Sequence, residues 1–170
     1  DVLELGCGPA GLWAQNLSRV PADWRITLTD FSPGMIAEAQ CILSGAAGRF
    51  RFEVVDAQSI PFNDDSFHTV IANHMLYHVP DLDKALAEIH RVLRPGGRLY
   101  ASTIGREHMR ELDAWAREYG LAPLDGIGLN EMVAGRFGLE TGEAKLAPWF
   151  QSITLYRYED ALRVTEAEPL

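Results

Sequence analysis

The 170 residues are 47% hydrophobic and 23% charged, the balance of an ordinary folded domain, with enough chain to bury a substantial core. A formal net charge of −9 argues against docking along a phosphate backbone. Two cysteines, Cys7 and Cys41, are too few for a disulfide framework and lack metal-ligand spacing, and no apolar run approaches the length of a membrane span.

In chain order, Val2-Leu3-Glu4-Leu5 reads as a short apolar strand that breaks into Gly6-Cys7-Gly8-Pro9-Ala10-Gly11. Glycines turn the backbone sharply and let a ligand approach it. Pro9 suits the first position of the helix expected next. Strand, tight turn and helix N-terminus make a nucleotide-binding element, with free N–H groups above the strand. As Gly6-x-Gly8-x-x-Gly11 it fits a dinucleotide fingerprint. As Glu4-x-Gly6-x-Gly8 it fits an adenosylmethionine one.

Leu12, Trp13, Asn16, Leu17 and Val20 recur at helical spacing, and Arg25 to Asp30 alternates as a second strand. Ser32-Pro33 caps a helix expected to run through Met35, Ile36, Ala39 and Leu43 until Gly45 and Gly48. Phe50 to Val55 is a third strand ending at Asp56, and a proline-containing connection leads to a fourth, Phe67 to Asn73. Leu82, Ala85, Leu86, Ile89, Val92 and Leu93 mark the cleanest amphipathic helix, stopped by Pro95-Gly96-Gly97 before a fifth strand, Arg98 to Thr103. Alternating strands and helices predict a doubly wound, mostly parallel α/β sheet.

Beyond it, His108–Tyr119, Glu131–Phe137 and Gly142–Phe150 read as helices. Ile153–Tyr158 and Ala161–Thr165 read as two strands too close in sequence for a parallel crossover, hence an antiparallel hairpin.

Asp30, at the tip of the second strand, suits the two hydroxyls of a ribose. Both NAD and adenosylmethionine carry one. Asp56, after the third strand, suits an adenine amino group, and paired acids suit a cationic sulfonium. The turn has no evident basic partner for a pyrophosphate.

The segments LELGCGPAG, LTDFSPGMI, VVDAQSIPFNDDSF, ANHMLYHV and EIHRVLRPGGRLYAST stand in one order between residues 2 and 103. In that order they resemble the class I S-adenosylmethionine-dependent methyltransferases, type 11, the ubiquinone-biosynthesis-like small-molecule group. The resemblance implies a Rossmann-like fold closed by a reversed last strand, and in-line methyl transfer from S-adenosyl-L-methionine (class 2.1.1) to a small-molecule acceptor in the cytoplasm. No nucleic acid, membrane or metal is implied, and oligomeric state is left open.

Glu4 and the turn Gly6-Cys7-Gly8 would border the methionine portion, and Asp30 would take the ribose. Phe31 and Met35 would pack near adenine. Asp56 would receive its amino group and the Ala57 N–H its ring nitrogen, while Asn73 and His74 would close over the methionine chain. His74, Tyr77 and His78 are the candidate bases.

One domain is expected over 1–170, with residues 105–150 as a lid on the acceptor side. Two departures stand out: Ala10 replaces a frequent glycine and His68 a frequent aspartate. Asp1 opens directly into a central strand, and the resemblance implies helices ahead of it, so a longer parent chain is expected. An NAD(P)-binding oxidoreductase and a non-catalytic cofactor-binding protein are the alternatives.

Overall fold

The computed structural model describes residues 1–120, 133 and 135–158. Five strands, β1 (Val2–Leu5), β2 (Ile26–Asp30), β3 (Phe50–Val54), β4 (Phe67–Asn73) and β5 (Leu93–Ser102), form one sheet. Its order is β3-β2-β1-β4-β5, and every pair is parallel. The central β1 is buried along its whole length.

Alternation along β1 divides the core in two. Val2 packs with Ile26, Leu28, Trp13, Ile36 and Ala39 against α1 (Gly11–Asn16) and α2 (Pro33–Ile42). Leu3 and Leu5 pack with Val70, Ala72, Leu86, Ile89 and Val92 against α3 (Leu82–Val92). Successive strand side chains point to opposite faces, so one strand serves both layers. Both main helices start where the sequence signals predict. The Ser32 hydroxyl accepts from the Met35 N–H with Pro33 in the first turn, and the Asp81 carboxylate accepts from the Lys84 N–H at 3.0 Å.

Three local expectations are corrected. Helix α1 starts at Gly11, not Pro9, because Ala10 takes a left-handed conformation (φ 61°) as its cap. Helix α2 stops at Ile42, ahead of Gly45. Pro95-Gly96-Gly97 lies inside β5 rather than before it: the register steps from Phe67 opposite Leu93 to Thr69 opposite Arg98, so the extra residues form a bulge. A Cβ on Gly97 would stand 2.8 Å from the Arg94 carbonyl oxygen, and only glycine fits that bulge.

The crossover from β3 to β4, residues 55–66, contains no helix and is tied to α3 by side chains instead. The Glu88 carboxylate accepts from the Ile60 N–H at 2.8 Å. Arg91 donates to the Ile60 and Phe62 carbonyls and to Asp64, each at 2.8 Å.

After β5, α4 (Arg110–Glu118) and α5 (Gly142–Leu146) fall within two of the expected helices. Of the expected Glu131–Phe137 helix, residues 133 and 135–137 are described and helical. Trp149 and Phe150 pack on the α3 layer and flank the His90 ring at 6.2 and 6.0 Å, anchoring the chain just before residue 151. Ile153–Tyr158 is not in the sheet, and its expected partner, Ala161–Thr165, lies outside the described residues. Leu155, Tyr156 and Tyr158 are exposed: alternation alone gives that stretch no strand partner.

Candidate functional site

The strand order reverses between β1 and β4, the position beyond whose carboxyl ends open α/β sheets set their ligands. One side is the turn after β1. Gly6 and Gly8 hold φ of 65° and 52°, which side chains with a Cβ resist. A Cβ on Gly6 would stand 2.7 Å from Met75 Cβ, so the turn lies directly on the residues after β4. Gly8 has nothing within 4 Å of that position, so a ligand can lie against the turn, but the free N–H groups expected there are taken: that of Gly8 by Asp30 and that of Cys7 by the Thr29 carbonyl.

Asp30 fixes this turn. One carboxylate oxygen accepts from the Gly8 N–H at 2.9 Å and the other from the Ser32 N–H at 2.9 Å. Each oxygen still has a lone pair for a ligand hydroxyl. Phe31 beside it is 74% exposed, and Met35 is half-buried.

Glu4 lies beneath the turn and is only 2% exposed. Its carboxylate accepts from the Trp13 indole N–H at 2.5 Å and hydrogen-bonds the Asn73 side chain, while its carbonyl accepts from the Thr29 hydroxyl. Burial pushes the Glu4 carboxyl up to about 7 despite these bonds. Cys7 is buried, donates its thiol to the Gly8 carbonyl, and is pushed up to about 12 by burial with Glu4 and Asp30 nearby. A thiol so hard to ionise is no nucleophile at neutral pH.

Asp56 follows β3, the neighbour of β2, one residue beyond Val55, whose N–H donates to the Asp30 carbonyl at 3.0 Å. Its carboxylate accepts from the Gln58 N–H at 2.8 Å and from the Gln58 side-chain amide at 3.0 and 3.2 Å. Ala57 is buried beside it. Across the switch point, Asn73 ends β4 half-buried, and His74 is exposed in a left-handed conformation (φ 50°) with its N–H on the Ser102 carbonyl.

The three candidate bases part company. His74 and His78 are exposed, whereas Tyr77 is buried in the α3 layer with its ring 4.5 Å from that of His78. Burial pushes the Tyr77 hydroxyl up, which works against its ionisation. Trp13, Met75 and Gln58 shape the site, yet their sequence signals pointed elsewhere. Trp13 fitted an apolar helical stripe; what could have singled it out is that a buried indole N–H needs an acceptor, and Glu4 is the buried one.

Fold and site together define an open, parallel α/β protein with an acidic, glycine-rich turn at its switch point. The comparisons carry this further. A family profile described as a methyltransferase domain matches residues 3–101, and the chain belongs to that family. It is 36% identical over 100 residues to the ubiquinone/menaquinone biosynthesis C-methyltransferase UbiE of Idiomarina loihiensis, covering 58% of this chain and 40% of that one. It is 32% identical over 113 residues to the malonyl-[acyl-carrier protein] O-methyltransferase of Erwinia billingiae, covering 66% and 42%.

The chain thus spans about two fifths of the length of these relatives. Among solved structures it is similar to the [4+2]-cyclase SpnF, with a TM-score of 0.54, 34% identity, and coverage of 59% of this chain and 37% of that one. The citrinin polyketide synthase CMeT domain gives a TM-score of 0.55 at 28% identity, with 61% and 28% covered. Among the described residues, no helix is long and apolar enough to cross a membrane.

Proposed function

We propose that the switch-point site binds S-adenosyl-L-methionine and serves methyl transfer to a small-molecule acceptor. The observation that carries this is the Gly6–Gly8 turn, held open at the strand switch point by the carboxylate of Asp30. The residues present fit the cofactor: ribose hydroxyls at Asp30, adenine between Phe31, Met35, Asp56 and Ala57, and the methionine portion along the turn, Asn73 and His74, with the expected contact from Glu4 withdrawn because its carboxylate is buried beneath the turn. Bound there, the cofactor would supply a methyl group activated on a cationic sulfur, which the ring of acidic groups favours.

The chain's own contribution is alignment and exclusion of water, which accelerates such a displacement without a base. Where the acceptor must lose a proton, His74 and His78 are the proposed bases, since both are exposed after β4 and Tyr77 is buried. Residues 105–150 are proposed as the lid over the acceptor within a single domain.

Calorimetric titration with S-adenosylmethionine, S-adenosylhomocysteine and NADH tests the cofactor. Binding of the first two and not of NADH is expected; the reverse pattern would restore the oxidoreductase reading. A labelled methyl donor offered with metabolite extracts then tests transfer. A second reading, the cofactor fold used without methyl transfer, draws on the likeness to the [4+2]-cyclase, and a protein that binds the donor but labels nothing would favour it.

A further inference from the structure

Gln58 holds the Asp56 carboxylate twice, through its backbone N–H at 2.8 Å and through its side chain. Its side-chain amide donates to both Asp56 oxygens, at 3.0 and 3.2 Å, while its amide oxygen accepts from the Asp81 N–H at 3.1 Å. The orientation of this amide is unambiguous. An ionised carboxylate only accepts and a backbone N–H only donates, so nitrogen must face Asp56 and oxygen Asp81. Asp81 in turn caps α3 through the Lys84 N–H. One side chain therefore spans the crossover after β3 and the start of the helix beyond the β4 loop.

Glutamine is suited to this bridge because it carries a donor and an acceptor at one end. Glutamate would set like charge against Asp56, and an apolar residue would satisfy neither neighbour. With Gln58 N–H and the side-chain amide both drawn to one Asp56 oxygen, the second oxygen is the less occupied acceptor.

Resting on the adenosyl reading above, we propose that Gln58 is a positioning residue for base selectivity: it holds Asp56 so that the less occupied carboxylate oxygen, together with the Ala57 N–H, matches a 6-aminopurine and rejects a 6-oxopurine. The oxo analogue reverses both positions, presenting an acceptor to the carboxylate and an N–H to the Ala57 N–H. Unpaired polar groups in such a site cost more than a lost contact.

The test compares S-adenosylhomocysteine with S-inosylhomocysteine by calorimetry, for wild type, Gln58→Leu and Gln58→Glu. Gln58→Glu keeps the acceptor for Asp81 and alters only the end facing Asp56, so it serves even if Gln58→Leu fails to fold, with circular dichroism checking each variant. Wild type is expected to prefer the adenosyl ligand by about tenfold or more. Both variants are expected to lose most of that ratio. A wild type that binds neither ligand overturns the adenosyl reading and this inference with it. A wild type that discriminates, beside variants that discriminate equally well, overturns the positioning role of Gln58 alone.

Discussion

Glu4 is a carboxyl group held where water does not reach, and its titration is written into the stability of the fold. Burial raises it from its ordinary 4.5 to about 7. The folded state thus prefers the protonated form and the unfolded chain releases the proton more readily. Stability is highest below about pH 4.5 and falls as pH rises through 7, then levels. A shift of this size corresponds to roughly 3 kcal/mol. Urea unfolding of Glu4→Gln should show that slope gone, with higher stability than wild type at pH 8, because the amide oxygen still accepts from Trp13.

The two glycines of the turn should separate by what they lose. Gly6→Ala puts a methyl 2.7 Å from Met75 Cβ at positive φ and is expected to cost about 3 kcal/mol of stability. Gly8→Ala meets nothing within 4 Å; it should cost only about 1 kcal/mol while weakening donor affinity by about tenfold. Thermal unfolding beside calorimetry reads both. Ala10, at φ 61°, carries a milder strain of the same kind in the place of the family's frequent glycine.

At the scale of elements, a helix-free crossover is held by one guanidinium. Arg91 sits in the last turn of α3, where the dipole favours a basic residue. Its bonds to Ile60, Phe62 and Asp64, with Glu88 bracing it, were not legible, because they join residues about thirty positions apart. Arg91→Met keeps the aliphatic stem and should cost about 2–3 kcal/mol in urea unfolding, since buried carbonyls lose their donor. His68 has a related history. Where the family favours aspartate, its Nε2 lies 2.9 Å from Arg94, whose charge holds the imidazole below its ordinary range. Arg94 also meets the Asp1 carboxylate at 3.5 Å, so the second carboxylate of His68→Asp should change the melting temperature little at neutral pH.

Over the whole molecule, two apolar layers share one sheet, and neither is separable from β1. Leu28 belongs to the α1–α2 layer and Leu86 to the α3 layer, and both are wholly buried. Either alanine substitution should cost about 2–5 kcal/mol. Because the two share no layer, the double variant should lose close to the sum, within about 0.5 kcal/mol, in a single urea transition.

The sequence by itself determined the strand–helix alternation, the cap at Ser32, the glycine turn and the two aspartates at strand tips. These are local: each is set by periodicity or by a few neighbouring residues. It also carried the family, through motifs in fixed order. Only the tertiary structure decided that Asp30 grips the Gly8 N–H, that Glu4 is sealed beneath Trp13, that Tyr77 is core while His74 and His78 are exposed, and that Ile153–Tyr158 stands outside the sheet. Such facts depend on which surfaces meet across the fold. A side chain's partner and its exposure are fixed by packing between distant segments, and no local pattern encodes that.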